Sequence, residues 1–249
     1  MNIYKSKSLP VYFFLVTGII LFHGANIKAQ NNHDRKPTNL KVLPQDIDPH
    51  ELRSIMQSFT NALGVHCDYC HDEDKGEASD VKPEKQIARV MMKMRTNIND
   101  TFLKEARTIK SDITDINCVN CHHGSPKVTL LEDELYLTYQ KNGFDSAIEK
   151  YNSLKKEYYG GAIYDFREIS LISFAAKLSN DKKFDDALKI LDKNLEIFPQ
   201  STRTLNATAN TYMNAGDKEK ALSYFEKTLA IDPNDRFARL MINRIKENK

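Results

Sequence analysis

From Asp48 onward the apolar residues recur at helical spacing. Leu52, Ile55, Met56, Phe59 and Leu63 fall on one face of a helix, with Asp48 as its N-cap, Pro49 at its first position and Glu51 completing a capping box. Gly64 ends it. A second stripe, Ile87, Met91, Met94 and Ile98, predicts a helix from about Pro83 to Lys104. Between the two lies a charged loop, Asp72 to Asp80, and beyond them a polar stretch, Lys110 to Asn117. No βαβ pattern occurs, and the fold class expected is all-α.

The rest of the chain is helical and repetitive. Leu171, Ala187, Leu188, Leu195 and Pro199 recur as Leu205, Ala221, Leu222, Leu229 and Pro233, each 34 residues later. That is the period of a tetratricopeptide helix-turn-helix repeat. In the second copy Leu205, Ala209, Tyr212, Ala221, Phe225 and Pro233 fall on that repeat's consensus positions, although the chain has no Trp. Gly143-Phe144-Asp145-Ser146-Ala147-Ile148 with Tyr151 resembles an earlier copy set 40 residues before Ala187, the extra length lying in Tyr158 to Ala162. The segment from Asp235 to Lys246 is expected to be the solvating cap that such stacks require. Residues 130–249 thus predict two to three repeats and a concave surface suited to a partner protein.

Cys-x-x-Cys-His occurs twice, as Cys67-Asp68-Tyr69-Cys70-His71 and Cys118-Val119-Asn120-Cys121-His122, and uses every cysteine in the chain. Two thiols one turn apart can each form a thioether with a haem vinyl group, and the adjacent histidine then ligates the iron. Two covalently bound haems c are the cofactors expected. Structural zinc does not require a histidine after each Cys pair, and a redox dithiol would sit in a βαβ unit. His71 and His122 are the proximal ligands. The residues alone leave the opposite ligands open: Met56 is either core filler or a ligand, and Met91 competes with Met94 for the second iron, with Met92 off the stripe. His66 and His123 are placed at the haem edge or in solvent.

The N-terminus reads as a signal peptide, residues 1–29. Lys5 and Lys7 precede an apolar run from Val11 to Phe22, and Ala25-Asn26-Ile27-Lys28-Ala29 leads to a cut after Ala29. The run is short of the roughly 20 residues that span a bilayer. A retained anchor is the alternative. Export suits the chemistry, since c-type haem is attached outside the cytoplasm, and predicts a periplasmic protein, either free or membrane-associated. The chain has 36 basic and 34 acidic residues, and losing Lys5, Lys7 and Lys28 with the signal brings it close to balance. No basic stripe with interleaved aromatics points to nucleic acid. A polar linker, 30–39, then leads into a haem region, 40–127.

From about Leu40 to Pro126 the chain resembles the cytochrome c subunit of photosynthetic reaction centres. In that family a methionine-bearing helix precedes each Cys-x-x-Cys-His and an Ala-Arg-x-Met helix links paired haems. Here Met56 stands ahead of Leu63-Gly64-Val65-His66-Cys67, and Ala88-Arg89-Val90-Met91 is followed by Met94 and Asn97-Ile98-Asn99. The resemblance implies that Met56 is the sixth ligand of the first haem and Met91 that of the second, Met94 being a packing residue. It matches half of a four-haem subunit. No histidine occurs between His71 and His122 to ligate a distant haem, and the family's Cys-His-Arg-Gly end reads Cys121-His122-His123-Gly124.

With both irons held by His and Met, neither has an open position for substrate, so the expected function is electron transfer between redox partner proteins, a membrane complex or a soluble carrier. No substrate-converting site is evident. A peroxidase-like dihaem enzyme with a displaceable ligand, and a haem-based redox sensor or assembly factor, are the competing classes.

Overall fold

The computed structural model describes residues 37–247. The expected signal peptide and most of the linker lie outside them. Every regular element among the described residues is helical, and the one β-bridge, Asp72 with Gly76, is isolated.

Helix α1, Pro49–Leu63, starts and stops where its sequence signals stand. The Asp48 carboxylate accepts the amides of His50 at 2.8 Å and Glu51 at 3.2 Å, satisfying two of the orphan donors of the first turn. At the other end Gly64 adopts φ +65°, and its amide and that of Val65 both return to the Thr60 carbonyl. A short 3-10 turn, Cys67–Tyr69, follows almost at once.

The second helix runs further than its apolar stripe predicts. α2 covers Pro83–Asn97, a π-helical turn takes Ile98–Leu103, and α3 continues over Lys104–Ile109. A tertiary bond lies within the extension. In the π turn Asn99 is buried, its Nδ2 donating to the Ile116 carbonyl and its Oδ1 accepting the Ile116 amide, each at 3.0 Å. This amide pair pins the irregular lead-in to the second motif, and hydrophobic periodicity does not record it. The motif itself forms the short helix α4, Val119–His122.

Three helical hairpins and a cap complete the chain: α5 Leu131–Asn142 with α6 Phe144–Tyr158, α7 Glu168–Asn180 with α8 Phe184–Ile197, α9 Thr202–Asn214 with α10 Lys218–Ile231, then α11 Arg236–Glu247. Of the residues that recur every 34 positions, the pairs Leu171 with Leu205 and Ala187 with Ala221 are buried in the core of the stack, whereas Pro199 and Pro233 are exposed. Ala187 and Ala221 are fully buried where two helices approach, and Phe174, Leu178, Ile190, Leu191 and Phe225 fill the layers between hairpins. Each of these Phe, Leu and Ile side chains stabilises the stack by about 1.5–3 kcal/mol relative to exposure. Polar stitches add register. Asn194, fully buried on α8, donates to the Glu168 carbonyl at 3.0 Å and to Thr204 Oγ1 at 2.9 Å, tying α8 to the starts of α7 and α9. Tyr139 on α5 donates to Asp186 on α8 at 2.8 Å, and burial together with that carboxylate pushes its hydroxyl up to about 12. The extra length of the first copy sits in the loop between α6 and α7, where Tyr158, Tyr164 and Phe166 pack edge to face.

The two ends of the protein differ in how they are filled. Ile47 and Ala62 are the buried hydrophobic residues between Pro37 and Lys127, whereas the repeats bury twenty. None of the residues of α2 is buried.

Candidate functional site

The two Cys-x-x-Cys-His motifs fold into the same turn. In the first, the amides of Cys70 and His71 reach the Cys67 carbonyl at 3.2 and 3.0 Å; in the second, those of Cys121 and His122 reach the Cys118 carbonyl at the same 3.2 and 3.0 Å. One turn of backbone therefore sets both thiols and the imidazole on a common side. The four cysteines are unpaired thiols. Burial and Glu84 push the Cys70 thiol up, while Lys82 and Lys85 pull it down, so these charges from the start of α2 lie around the first motif.

Both imidazoles are held in one way. His71 Nδ1 lies 3.1 Å from the Glu77 carbonyl, and His122 Nδ1 lies 2.9 Å from the Ser125 carbonyl. A carbonyl can only accept, so Nδ1 carries the proton and Nε2 keeps the lone pair that a metal takes. This is the outer hydrogen bond that orients and tunes a ligating histidine.

The methionines lie on the helices flanking these turns. Met56 is half-buried on α1, Met91 and Met94 are exposed on α2, and Met92, off their stripe, is half-buried. His66 and His123 are both exposed. Ile87, Val90, Met91 and Met94 leave 56, 60, 39 and 49% of their surface open, an apolar face of α2 that the polypeptide itself does not cover. Paired thiols, pre-oriented imidazoles and this uncovered apolar face fit covalently bound haem, a flat apolar group needing all three. Among the described residues no group of three or more His, Cys, Asp or Glu side chains converges to hold a bare metal ion.

Three supports went unrecognised in the sequence. Asp80 gathers Lys41 at 2.6 Å, Arg89 at 2.8 Å, Lys85 at 3.5 Å and Asn39 at 3.0 Å. Hydrogen bonds from Lys41 and Asn39, then Arg89, hold its carboxyl well below the usual carboxylate range. Arg89 also donates to the Asn39 carbonyl, so the arginine of Ala-Arg-x-Met braces the N-terminal segment against α2. Asn99 is the second support. The third is a close approach of glycines: the Gly124 amide donates to the Ala62 carbonyl at 2.9 Å, and a Cβ on Gly64 would fall far inside the contact distance of the Gly124 carbonyl oxygen. Gly64 reads in the sequence as a helix stop, and only its partner 60 residues away shows that it also joins the two motifs.

A test follows from this contact. Gly64→Ala should destabilise the haem region by at least the roughly 1–2 kcal/mol of a left-handed alanine, read as thermal loss of the haem region's circular dichroism. Gly64→Asn, which tolerates the left-handed backbone, should be destabilised as well because its Cβ meets the same carbonyl. An asparagine variant as stable as wild type would refute the close approach.

Comparison with known proteins gives the geometry its family. The sequence profile of the photosynthetic reaction centre cytochrome c subunit matches residues 24–154, more than half of the chain. The chain belongs to this family. A tetratricopeptide repeat profile matches residues 202–235, the hairpin of α9 and α10. The photosynthetic reaction center cytochrome c subunit of Rubrivivax gelatinosus is 30% identical over 82 residues, 29% of this chain and 22% of that protein. Cytochrome c-554 of Chloroflexus aurantiacus is 32% identical over 77 residues, 30% of this chain and 18% of that protein. The chain thus spans about a fifth of the length of these relatives. Among solved structures, the first TPR of Spaghetti (RPAP3) bound to HSP90 peptide SRMEEVD matches 47% of this chain and 89% of that chain at 16% identity and a TM-score of 0.34. Membership of the cytochrome c subunit family implies covalently attached haem c, and the repeats imply protein interaction. No helix among the described residues is long and apolar enough to cross a membrane.

Proposed function

We propose that this protein is an exported dihaem c-type cytochrome that passes electrons between redox partners, with residues 130–249 as a docking module for one of them. The observation that carries the reading is the repetition of one haem-attachment unit, two thiols and a histidine whose Nδ1 is committed to a backbone carbonyl, at Cys67–His71 and again at Cys118–His122. Cys67 and Cys70 would attach one haem and Cys118 and Cys121 the other. His71 and His122 would be the proximal ligands, and Met56 and Met91 the opposite ones. When bound, haem supplies the one-electron chemistry. The protein's part would be to fix ligation and exclude water: Met56 on α1 and Met91 on α2 would supply thioether ligands, the neighbouring apolar side chains would shield the group, and ligation by methionine together with histidine would raise the reduction potential. The signal peptide reading supports periplasmic residence. The repeats support docking because their stacked hairpins present an extended surface separate from the ligating residues, all of which precede Leu131.

The exported protein should have the intact mass of a chain cut after Ala29 plus two haems, and both irons should be six-coordinate and low-spin in either redox state. One haem, or none, would overturn the dihaem reading. A high-spin fraction that binds small ligands would favour the peroxidase-like enzyme instead.

A further inference from the structure

The imidazoles of His71 and His122 are anchored alike, but the carbonyls that anchor them stand in different electrostatic surroundings. The Glu77 carbonyl, which accepts from His71 Nδ1, also accepts from the ammonium of Lys85 at 2.5 Å. The same ammonium reaches the Ser79 carbonyl at 2.9 Å and stands 3.5 Å from Asp80, with its side chain 13% exposed. Lys85 occupies the first turn of α2, where the helix dipole disfavours a cation. Its burial there, reached across the loop that returns from His71, opposes both hydration and the dipole. Its carboxylate partner Asp80 is shared with Lys41 and Arg89, and Lys82 adds a further cation near Cys70, where Glu84 is an acid.

At the second motif the anchor is built from backbone and hydroxyl. The Ser125 carbonyl accepts from His122, the Ser125 amide returns to the His122 carbonyl at 2.9 Å, and Ser125 Oγ donates to the Lys127 carbonyl at 3.1 Å. The nearby Lys127 ammonium is directed to Glu134 on α5.

We infer that Lys85 is a positioning residue that makes the two haems inequivalent, raising the potential of the haem held by His71 through the Glu77 carbonyl. This rests on the dihaem reading above. An ammonium on the carbonyl withdraws the electron density that would otherwise accept the His71 N–H, so the imidazole becomes a weaker donor to iron. The positive charge also favours the reduced, less positive iron directly. Both effects have one sign. The electron entering the oxidised protein is thereby drawn toward the first haem relative to the potential it would have without the lysine.

The test is a redox titration of the full holoprotein. Lys85→Met should move one of the two one-electron waves to lower potential and leave the other in place, with haem content and low-spin spectra unchanged. Lys85→Arg should restore the wild-type position, since charge and reach are kept. Lys127→Met, the control at the second motif, should move neither wave. Waves unmoved by Lys85→Met, both waves moved equally, or an Arg variant shifted as far as the Met variant would each overturn the proposal. A wild-type protein carrying fewer than two haems overturns the dihaem reading itself; two haems with unmoved waves overturn only the role of Lys85.

Discussion

Produced without haem attachment, the chain is expected to split in behaviour: amides from Leu131 to Glu247 stay protected against hydrogen exchange, while those from Pro37 to Lys127 exchange rapidly. The reason is the distribution of buried apolar surface. The repeats pack side chains such as Phe174, Leu178 and Phe225 to zero exposure, each contributing about 1.5–3 kcal/mol. The haem region buries Ile47 and Ala62, and these cannot offset a backbone ordering cost of about 1–2 kcal/mol per residue over some ninety residues. Haem, contacted by Ile87, Val90 and the methionines of α2, would then be its missing core. Exchange mass spectrometry on the apo and holo chains measures this directly. Equal protection of both regions in the apo protein would mean that α1, α2 and the π turn are self-supporting.

The second large effect concerns the iron ligand proposed on α2. Met91→Ala should abolish the Met-to-iron charge-transfer band of one haem and lower that haem's potential, whereas Met94→Ala should leave both nearly as they were. Met91 and Met94 stand three residues apart on the same exposed face of the helix, so burial does not separate them. The resemblance implies Met91, which completes Ala88-Arg89-Val90-Met91, in which Arg89 is braced by Asp80 and the Asn39 carbonyl. That brace ties α2 to the segment at Asn39 and Asp80 two residues before Met91. Loss of the band in Met94→Ala alone would reverse the assignment.

What this sequence determined without help from tertiary structure is whatever depends on residues near one another along the chain. Asp48, Pro49 and Gly64 bound α1 because caps are local hydrogen bonds. The Cys-x-x-Cys-His spacing sets two thiols and an imidazole on one turn because that geometry closes within five residues. The 34-residue recurrence reveals the hairpins from α7 to α10 because every repeat buries the same positions against its neighbour. Interactions between distant residues were decided only in the folded chain. The π turn carries Asn99, whose side chain bonds to the Ile116 backbone 17 residues away. Gly64 must be glycine partly because Gly124 lies against it. The unequal settings of His71 and His122 arise because a loop brings the Glu77 carbonyl to Lys85, eight residues ahead on another element. None of these leaves a periodic trace. Each is a single polar or steric contact whose partner the chain must fold to find, while hydrophobic patterning reports only which face of an element is turned inward.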